Sequence, residues 1–163
     1  MAPLMAPAPP APTTFADLGV PDPIVAALQR LDRPSPFAIQ VAAVPDALAG
    51  HDVLGRARTG SGKTLAFAIP MVTRLSTSGS RRQKGRPRGL VLVPTRELAQ
   101  QVHDALRPLA DAVGQRTTTV VGCVSQAPQV TALRRGVDVL VATPGRLEDL
   151  IRQGHLRLDA VEV

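Results

Sequence analysis

Residues 57–64 have the residue types that bind phosphate groups. Gly60 and Gly62 can curl the backbone so that consecutive N–H groups point inward, and a helix that begins near Lys63 adds the positive end of its dipole. We expect the Lys63 ammonium to contact the β- and γ-phosphates of a nucleoside triphosphate and the Thr64 hydroxyl to bind Mg²⁺. A Gly/Ser turn that ends in Lys-Thr by chance is the alternative, which the number of matching positions disfavours. The other candidate contacts in this loop are Arg58, Thr59 and Ser61.

Four further blocks follow a predicted strand or open a predicted helix. They are FAIQ at 37–40, PTRELAQ at 94–100, VVG at 120–122 and ATPGRL at 142–147. In this order, with the phosphate loop second, they resemble the first half of a DEAD-box RNA helicase over roughly residues 15–163. The resemblance implies an α/β RecA-like P-loop fold, ATP and Mg²⁺ as cofactors, and RNA as the partner.

The resemblance implies that Gln40 reads the adenine of ATP. A side-chain amide offers one donor and one acceptor, so it can pair with the amino group and a ring nitrogen of adenine and select ATP over GTP. The same resemblance implies that the Phe15 ring packs on the adenine. Judged from the residues alone, a phenylalanine beside Leu18 is an anchor of the core.

The resemblance also implies contacts with the RNA backbone. The expected residues lie at helix starts or in a loop after a strand, where N–H groups and hydroxyls favour phosphate, and such contacts carry no base sequence. Capping of the helices by the two threonines is the structural alternative, and both roles can coexist. We expect Glu97 to complement the helix dipole and to hold an arginine of a neighbouring motif. The candidate RNA contacts are Pro94, Thr95, Arg96, Glu97, Gly122, Thr143, Pro144, Gly145 and Arg146.

The sequence departs from the family pattern at two pairs of residues. Asp32 and Arg33 stand where a Gly-Phe-like pair is usual, and Gly122 is followed by Cys123 instead of a second glycine. If the second position needs a positive φ, Cys123 carries strain; otherwise it is a small buried apolar residue.

The largest departure is that no Asp-Glu-Ala-Asp tetrad occurs in residues 1–163. In the family that block helps to hold Mg²⁺ and positions the attacking water, and a second RecA-like domain supplies arginines. We therefore expect a RecA-like domain 1 that is incomplete at its C-terminus, and an ATP-dependent RNA helicase in the longer parent protein. Residues 1–163 alone should bind ATP phosphates and part of the RNA backbone without hydrolysis. A non-catalytic nucleotide- or RNA-binding module and a P-loop ATPase acting on DNA or proteins remain alternatives.

Helix and strand patterns that alternate must position these blocks. Helices are predicted near 22–31, with Asp22 as N-cap, and near 37–44, with Ser35 as N-cap, a break or kink at Pro45 and a last turn that ends at Gly50. Further helices are predicted at 63–75, 95–113, 127–135 and 144–152, and strands at 52–55, 90–93, 117–121 and 137–142. Apolar strands that alternate with helices predict a mostly parallel sheet flanked by helices.

Composition and charge limit the partners and the location that this interpretation allows. Nineteen Lys and Arg against 13 Asp and Glu give a net charge of +6, and five of the cations lie in residues 81–88. That basic stretch predicts an exposed loop, either an attractor of nucleic acid or a mobile solvated segment. Residues 1–12 are rich in Pro and Ala and are predicted to be a disordered tail, followed by the partial domain at 13–163. A single cysteine and the lack of a long apolar run favour a cytoplasmic location.

Overall fold

Three short strands form a parallel sheet in the computed structural model, which describes residues 13–163. They are β1 (Gly89–Leu92), β2 (Thr117–Val120) and β3 (Val139–Ala142), in the spatial order β1-β3-β2. Val139 is level with both Gly89 and Thr117, so the three strands start at the same height. All four residues of β3 are buried, as expected for a central strand covered on both faces.

Six helices pack around this sheet within the described residues. They are α1 (Asp22–Arg30), α2 (Ala38–Leu48), α3 (Lys63–Thr77), α4 (Arg96–Ala112), α5 (Gln126–Arg135) and α6 (Pro144–Arg152). None of them is long and apolar enough to span a membrane.

The core is divided between the two faces of β3. Val139 belongs to the cluster that holds the buried residues of α1, α3 and α4, such as Ile69 and Leu106. Leu140 points the other way, into the cluster formed by α5 and α6 around Leu133 and Leu150. Alternation along one strand therefore joins both halves of the core.

The predicted α/β class with a parallel sheet and flanking helices is confirmed, and six predicted helices lie close to their expected bounds. The two predicted N-cap residues are wrong, since each lies one or two residues away from the observed N-cap. Pro21 and Phe37 occupy the N-cap positions, and neither the Asp22 nor the Ser35 side chain caps a helix. Helix α2 continues through Pro45 and ends at Leu48. The predicted tail at 1–12 lies outside the described residues.

The strand predicted at 52–55 is not formed. Residues 51–58 have no regular secondary structure, and the Leu54 side chain is fully exposed. A strand exists only through a ladder with a neighbour, and no described strand pairs with this segment. The apolar pattern was therefore insufficient to predict a strand here.

The outer edge of β1 faces an apolar cavity of about 790 Å³, which is lined by α2, α3, β1 and residues 161–163. The chain already pairs with this edge. The Leu90 N–H donates to the Val163 carbonyl at 2.9 Å, and the Glu162 N–H donates to the Arg88 carbonyl at 2.7 Å. Residues 162–163 thus begin a third ladder, on the free edge of β1.

A buried ion network ties the start of the sheet together. The Arg88 side chain, 6% exposed, donates to Glu162 at 2.9 Å, to Asp138 at 3.3 Å and to the Leu75 carbonyl at 2.5 Å. These bonds join α3, β3 and the C-terminal residues around one guanidinium. Removing it leaves buried acceptors without a partner.

We predict that Arg88→Met lowers the free energy of unfolding by about 3 kcal/mol, because it leaves the buried Asp138 carboxylate partly uncompensated. Urea denaturation of residues 1–163 followed by circular dichroism measures this change. Arg107→Met is the matched control, since its exposed pair with Asp111 at 3.7 Å should contribute less than about 1 kcal/mol. Equal effects of the two substitutions would contradict a special role of the buried network.

Candidate nucleotide and RNA site

The phosphate loop has the backbone shape that anion binding requires. Gly60 and Gly62 have φ values of 81° and 87°, and Gly62 is the N-cap of α3. A Cβ at Gly62 would lie 2.5 Å from the Gln40 amide nitrogen, so only glycine fits there. The loop therefore curls at the helix N-terminus, where unpaired N–H groups and the dipole favour negative charge.

The Lys63 side chain turns back onto its own loop. Its ammonium donates to the Ala57 carbonyl at 2.6 Å and to the Arg58 carbonyl at 2.7 Å. Thr64 follows it in the first turn of α3 and is half-buried. Both residues line the cavity beside the loop, so a phosphate group would compete with the two carbonyls for the ammonium.

Gln40 links helix α2 to the phosphate loop. Its side chain is only 2% exposed, accepts from the Phe37 N–H at 2.9 Å and donates to the Gly62 carbonyl at 3.0 Å. The amide thus makes one bond as a donor and one as an acceptor, which leaves its second N–H and the second lone pair of its oxygen for other contacts. A bidentate contact with adenine stays a prediction.

A cavity of about 560 Å³ lies between α2, the phosphate loop and α4. Phe37 lines it together with Gln40, and its ring is 46% exposed. Phe15 is not brought to this cavity, because its ring is 1% exposed and packs in the core against α1 and α3. The geometry thus supports the core role of Phe15. Sequence reasoning missed Phe37, whose only signal was an aromatic residue directly before the Gln40 turn.

The loop fits a triphosphate with a bound cation by its donor set. The Ser61 hydroxyl oxygen is buried and has no hydrogen-bond partner among residues 13–163, so the loop holds an unsatisfied polar atom. Thr64 has its hydroxyl in the first turn of α3, and its contact with Mg²⁺ stays a prediction. No group of three or more His, Cys, Asp or Glu side chains in residues 13–163 is arranged to hold a metal, so the protein ligands found here are few.

The block that follows β1 caps helix α4. The Thr95 hydroxyl accepts from the Leu98 N–H at 3.2 Å, which confirms its capping role. Arg96 and Glu97 are exposed and pair with each other at 3.2 Å. The hydrogen bond from its own backbone N–H and then the Arg96 guanidinium lower the pKa of Glu97. The arginine that Glu97 holds is therefore its sequence neighbour, and not one of another motif as expected.

The loop after β2 is held from two sides. Gln129 of α5, a buried residue that sequence reasoning missed, donates to the Val121 carbonyl at 3.1 Å and accepts from its N–H at 3.2 Å. From α6, the Arg146 guanidinium donates through both terminal nitrogens to the Val124 carbonyl at 3.2 Å. Arg146, expected to touch RNA, thus has a structural contact in this structure.

Cys123 occupies the second position of the Gly122 pair. Its φ is 60°, in the left-handed region, and its thiol is exposed. The reading of Cys123 as a buried apolar residue is therefore wrong, and the strained alternative holds. Asp32, the other departure from the family pattern, also has a positive φ of 55°.

The candidate RNA residues lie at one end of the sheet, where its parallel strands finish. Because β1, β2 and β3 are parallel, the blocks at 94–97, 122 and 143–146 all follow the carboxyl ends of their strands. Thr143, Pro144 and Gly145 open α6, and the Thr143 hydroxyl makes no cap hydrogen bond. The phosphate loop stands before α3, which packs against both α2 and α4.

Comparisons with known proteins give consistent matches. The family model described as DEAD/DEAH box helicase matches residues 37–163. The chain is 49% identical over 151 residues to the chloroplastic DEAD-box ATP-dependent RNA helicase 3A of Zea mays, covering 91% of this chain and 20% of that protein. It is 44% identical over 146 residues to the ATP-dependent RNA helicase DeaD of Haemophilus influenzae, covering 89% and 23%. Its fold is similar, with a TM-score of 0.83 and 36% identity, to the RNA helicase Prp28 of Chaetomium thermophilum bound to ADP, covering 96% and 38%. The chain thus spans about a fifth to a quarter of the length of the two curated relatives.

We predict that Cys123→Gly raises the free energy of unfolding by up to about 1 kcal/mol, because glycine adopts a positive φ without a steric penalty. Urea denaturation of residues 1–163 is the measurement. Cys123→Ala retains the Cβ and should give no such gain. A gain as large in Cys123→Ala would mean that the thiol, and not the backbone, is the source of the strain.

Proposed function

The chain belongs to the DEAD/DEAH box helicase family, and we propose that it forms the part of an ATP-dependent RNA helicase that holds ATP and one side of the RNA backbone. The observation that carries this proposal is the glycine loop before α3, with Lys63 and Thr64 in the first turn of the helix. This part would work with a second RecA-like domain of the parent protein, where ATP hydrolysis is coupled to local unwinding of an RNA duplex.

The phosphate end of the proposed ATP site is the loop at 57–64. Curled N–H groups, the α3 N-terminus and the Lys63 ammonium together supply positive potential for a triphosphate. Binding replaces the bonds from Lys63 to the Ala57 and Arg58 carbonyls with charge-assisted bonds to phosphate oxygens. The Thr64 hydroxyl would hold Mg²⁺ in part, and the cation would supply positive charge to neutralise the phosphate oxygens.

The base end of the proposed site is the cavity lined by Phe37 and Gln40. An exposed aromatic ring offers a stacking surface for a purine, and the neighbouring amide offers the donor and acceptor that distinguish adenine from guanine. One N–H of the Gln40 amide bonds the Gly62 carbonyl, and its second N–H and the free lone pair of its oxygen would contact the base. The same side chain would then connect base recognition to the shape of the phosphate loop.

The proposed RNA surface is the end of the sheet at which all three strands finish, which we call the carboxyl edge. Backbone N–H groups at the starts of α4 and α6, together with the Thr95 and Thr143 hydroxyls, suit phosphate and sugar oxygens. None of these groups reads a base edge, so we expect binding without sequence preference. The exposed Arg96 side chain pairs with Glu97, and a phosphate of the RNA would compete with that carboxylate for the guanidinium.

Residues 1–163 alone would act as a binding module without turnover. Hydrolysis needs acidic and arginine groups that stabilise charge in the transition state, and the described residues around Lys63 and Thr64 include no cluster of carboxylates. Lys63 and Thr64 also line the open cavity along β1, which solvent can enter.

We predict that Lys63→Ala weakens binding of Mg²⁺-ATP to residues 1–163 by about 10-fold or more, because a charge-assisted contact with phosphate is lost. Isothermal titration calorimetry measures the dissociation constant. Lys84→Ala, which removes the other lysine of the chain, is the matched control and should leave ATP affinity unchanged. Unchanged affinity in Lys63→Ala would contradict the proposed phosphate loop.

We further predict that the protein encoded by the whole reading frame hydrolyses ATP faster when RNA is added, whereas residues 1–163 stay at the background rate. Phosphate release with and without single-stranded RNA measures both. Turnover by residues 1–163 at the rate of the longer protein would refute the binding-only proposal. Equal stimulation by DNA would refute the assignment to RNA.

A further inference from the structure

The basic loop that precedes β1 is seated on the protein surface. The Gly85 N–H donates to the Leu133 carbonyl at the end of α5, and the Arg157 N–H donates to the Gly85 carbonyl, both at 2.9 Å. A Cβ at Gly85 would lie 2.9 Å from the His155 carbonyl oxygen. The backbone of the loop is thus fixed against α5 and the segment that follows α6.

Two arginines of this stretch are used internally. Arg82 donates to the buried Asp138 carboxylate at 2.6 Å and to the Gly114 carbonyl at 2.9 Å, while Arg88 bonds the other Asp138 oxygen. These contacts anchor the loop to the start of β3 and to the turn before β2. These two arginines therefore have a structural role, whereas the exposed cations of the loop have none in these contacts.

Five exposed cations lie on three neighbouring segments, namely this loop, the residue before β2 and the end of α5, and we call this group the basic face. Its members are Arg81, Lys84, Arg116, Arg134 and Arg135. Within residues 13–163 none of the five forms an ion pair with a carboxylate. Arg116 donates to the Arg135 carbonyl at 3.4 Å, which brings the start of β2 to the end of α5.

The basic face lies at the end of the sheet opposite to the candidate site. Its residues precede the strands: the loop at 81–84 comes before β1, Arg116 directly before β2, and Arg134 and Arg135 before β3. In a parallel sheet these starts share one edge, whereas the nucleotide and RNA blocks follow the strands at the other edge. The face therefore has no part in the site described above.

Its chemistry suits a phosphate backbone. Four of its five cations are arginines, whose planar guanidinium binds phosphate in a bidentate way. The exposed large apolar side chains of the described chain all lie outside the loop at 81–86, the 114–116 turn and the end of α5. A protein interface needs an apolar centre, whereas nucleic-acid surfaces are polar and positive.

We propose that the basic face is a second RNA-backbone contact, which holds a flanking part of the same RNA that the carboxyl edge binds. The proposal rests on the proposed function in that RNA is the ligand. Such a contact raises the local concentration of RNA and adds affinity without sequence preference.

The test compares two double variants of the protein encoded by the whole reading frame. Arg134→Gln with Arg135→Gln changes the basic face, and Arg30→Gln with Arg152→Gln removes the same charge from exposed positions elsewhere. Fluorescence anisotropy with a labelled oligouridylate of about 20 nucleotides gives the dissociation constant over a series of salt concentrations. Thermal melting of each variant checks that the fold is retained.

We expect the basic-face variant to bind RNA about fivefold or more weakly and to reduce the salt slope by about 1.4, since each lost single-strand phosphate contact removes about 0.7. The control variant should keep the wild-type slope. Arg134→Lys with Arg135→Lys should restore most of the affinity, because the positive charge is retained.

Equal losses in the two Gln variants would overturn the proposal, since net charge alone would then explain them. Competition by polyglutamate as strong as that by RNA of equal charge would also overturn it and indicate an acidic protein partner. The proposed function fails separately: if RNA does not stimulate ATP hydrolysis while the basic-face variant still binds RNA more weakly, the face stands as an RNA contact without the helicase assignment.

Discussion

The arrangement of this chain depends on the pairing of β3 with both of its neighbours. Parallel ladders from Val139 to Ala142 set β1 and β2 at one height, so every strand ends at the same edge. Only because of this register do the turns after three separate strands reach one surface. The same pairing brings the starts of the strands together, and the cations that precede them collect at the opposite end. One set of backbone hydrogen bonds thus places the candidate nucleotide and RNA site and the basic face at opposite ends of the sheet.

Sequence reasoning located the elements well where a pattern is local. The apolar stripe of α4 and the buried run at β3 are visible in the residues themselves, and both elements form close to their predicted bounds. The prediction failed at 52–55, because a strand depends on a neighbour that the segment's own residues do not specify. The N-caps at Pro21 and Phe37 show a similar limit, since the start of a helix can shift by one or two residues without a change in pattern.

In the candidate site, too, local features could be predicted from the sequence, whereas contacts between elements could not. Gly60 and Gly62 predict a curled backbone, and both residues have a positive φ in the structure. Side-chain amides give no such signal: Gln40 and Gln129 each satisfy a backbone donor and acceptor in a loop, and those pairings appear only once the helices are packed. Departures from a family pattern were informative in another way. Asp32 and Cys123 mark positions where the backbone is left-handed, so the usual glycine reports geometry and not ligand contact alone.

The two bonds from the Lys63 ammonium to the carbonyls at 57 and 58 have a consequence for the phosphate loop. An ammonium group without a partner in a partly buried turn would repel the positive end of the helix dipole and open the loop. Here the two carbonyl oxygens accept from the ammonium as a phosphate would, and they hold the turn in shape. Binding of a phosphate group would therefore substitute phosphate oxygens for carbonyl oxygens around the ammonium. A loop ordered in this way loses little conformational entropy on binding.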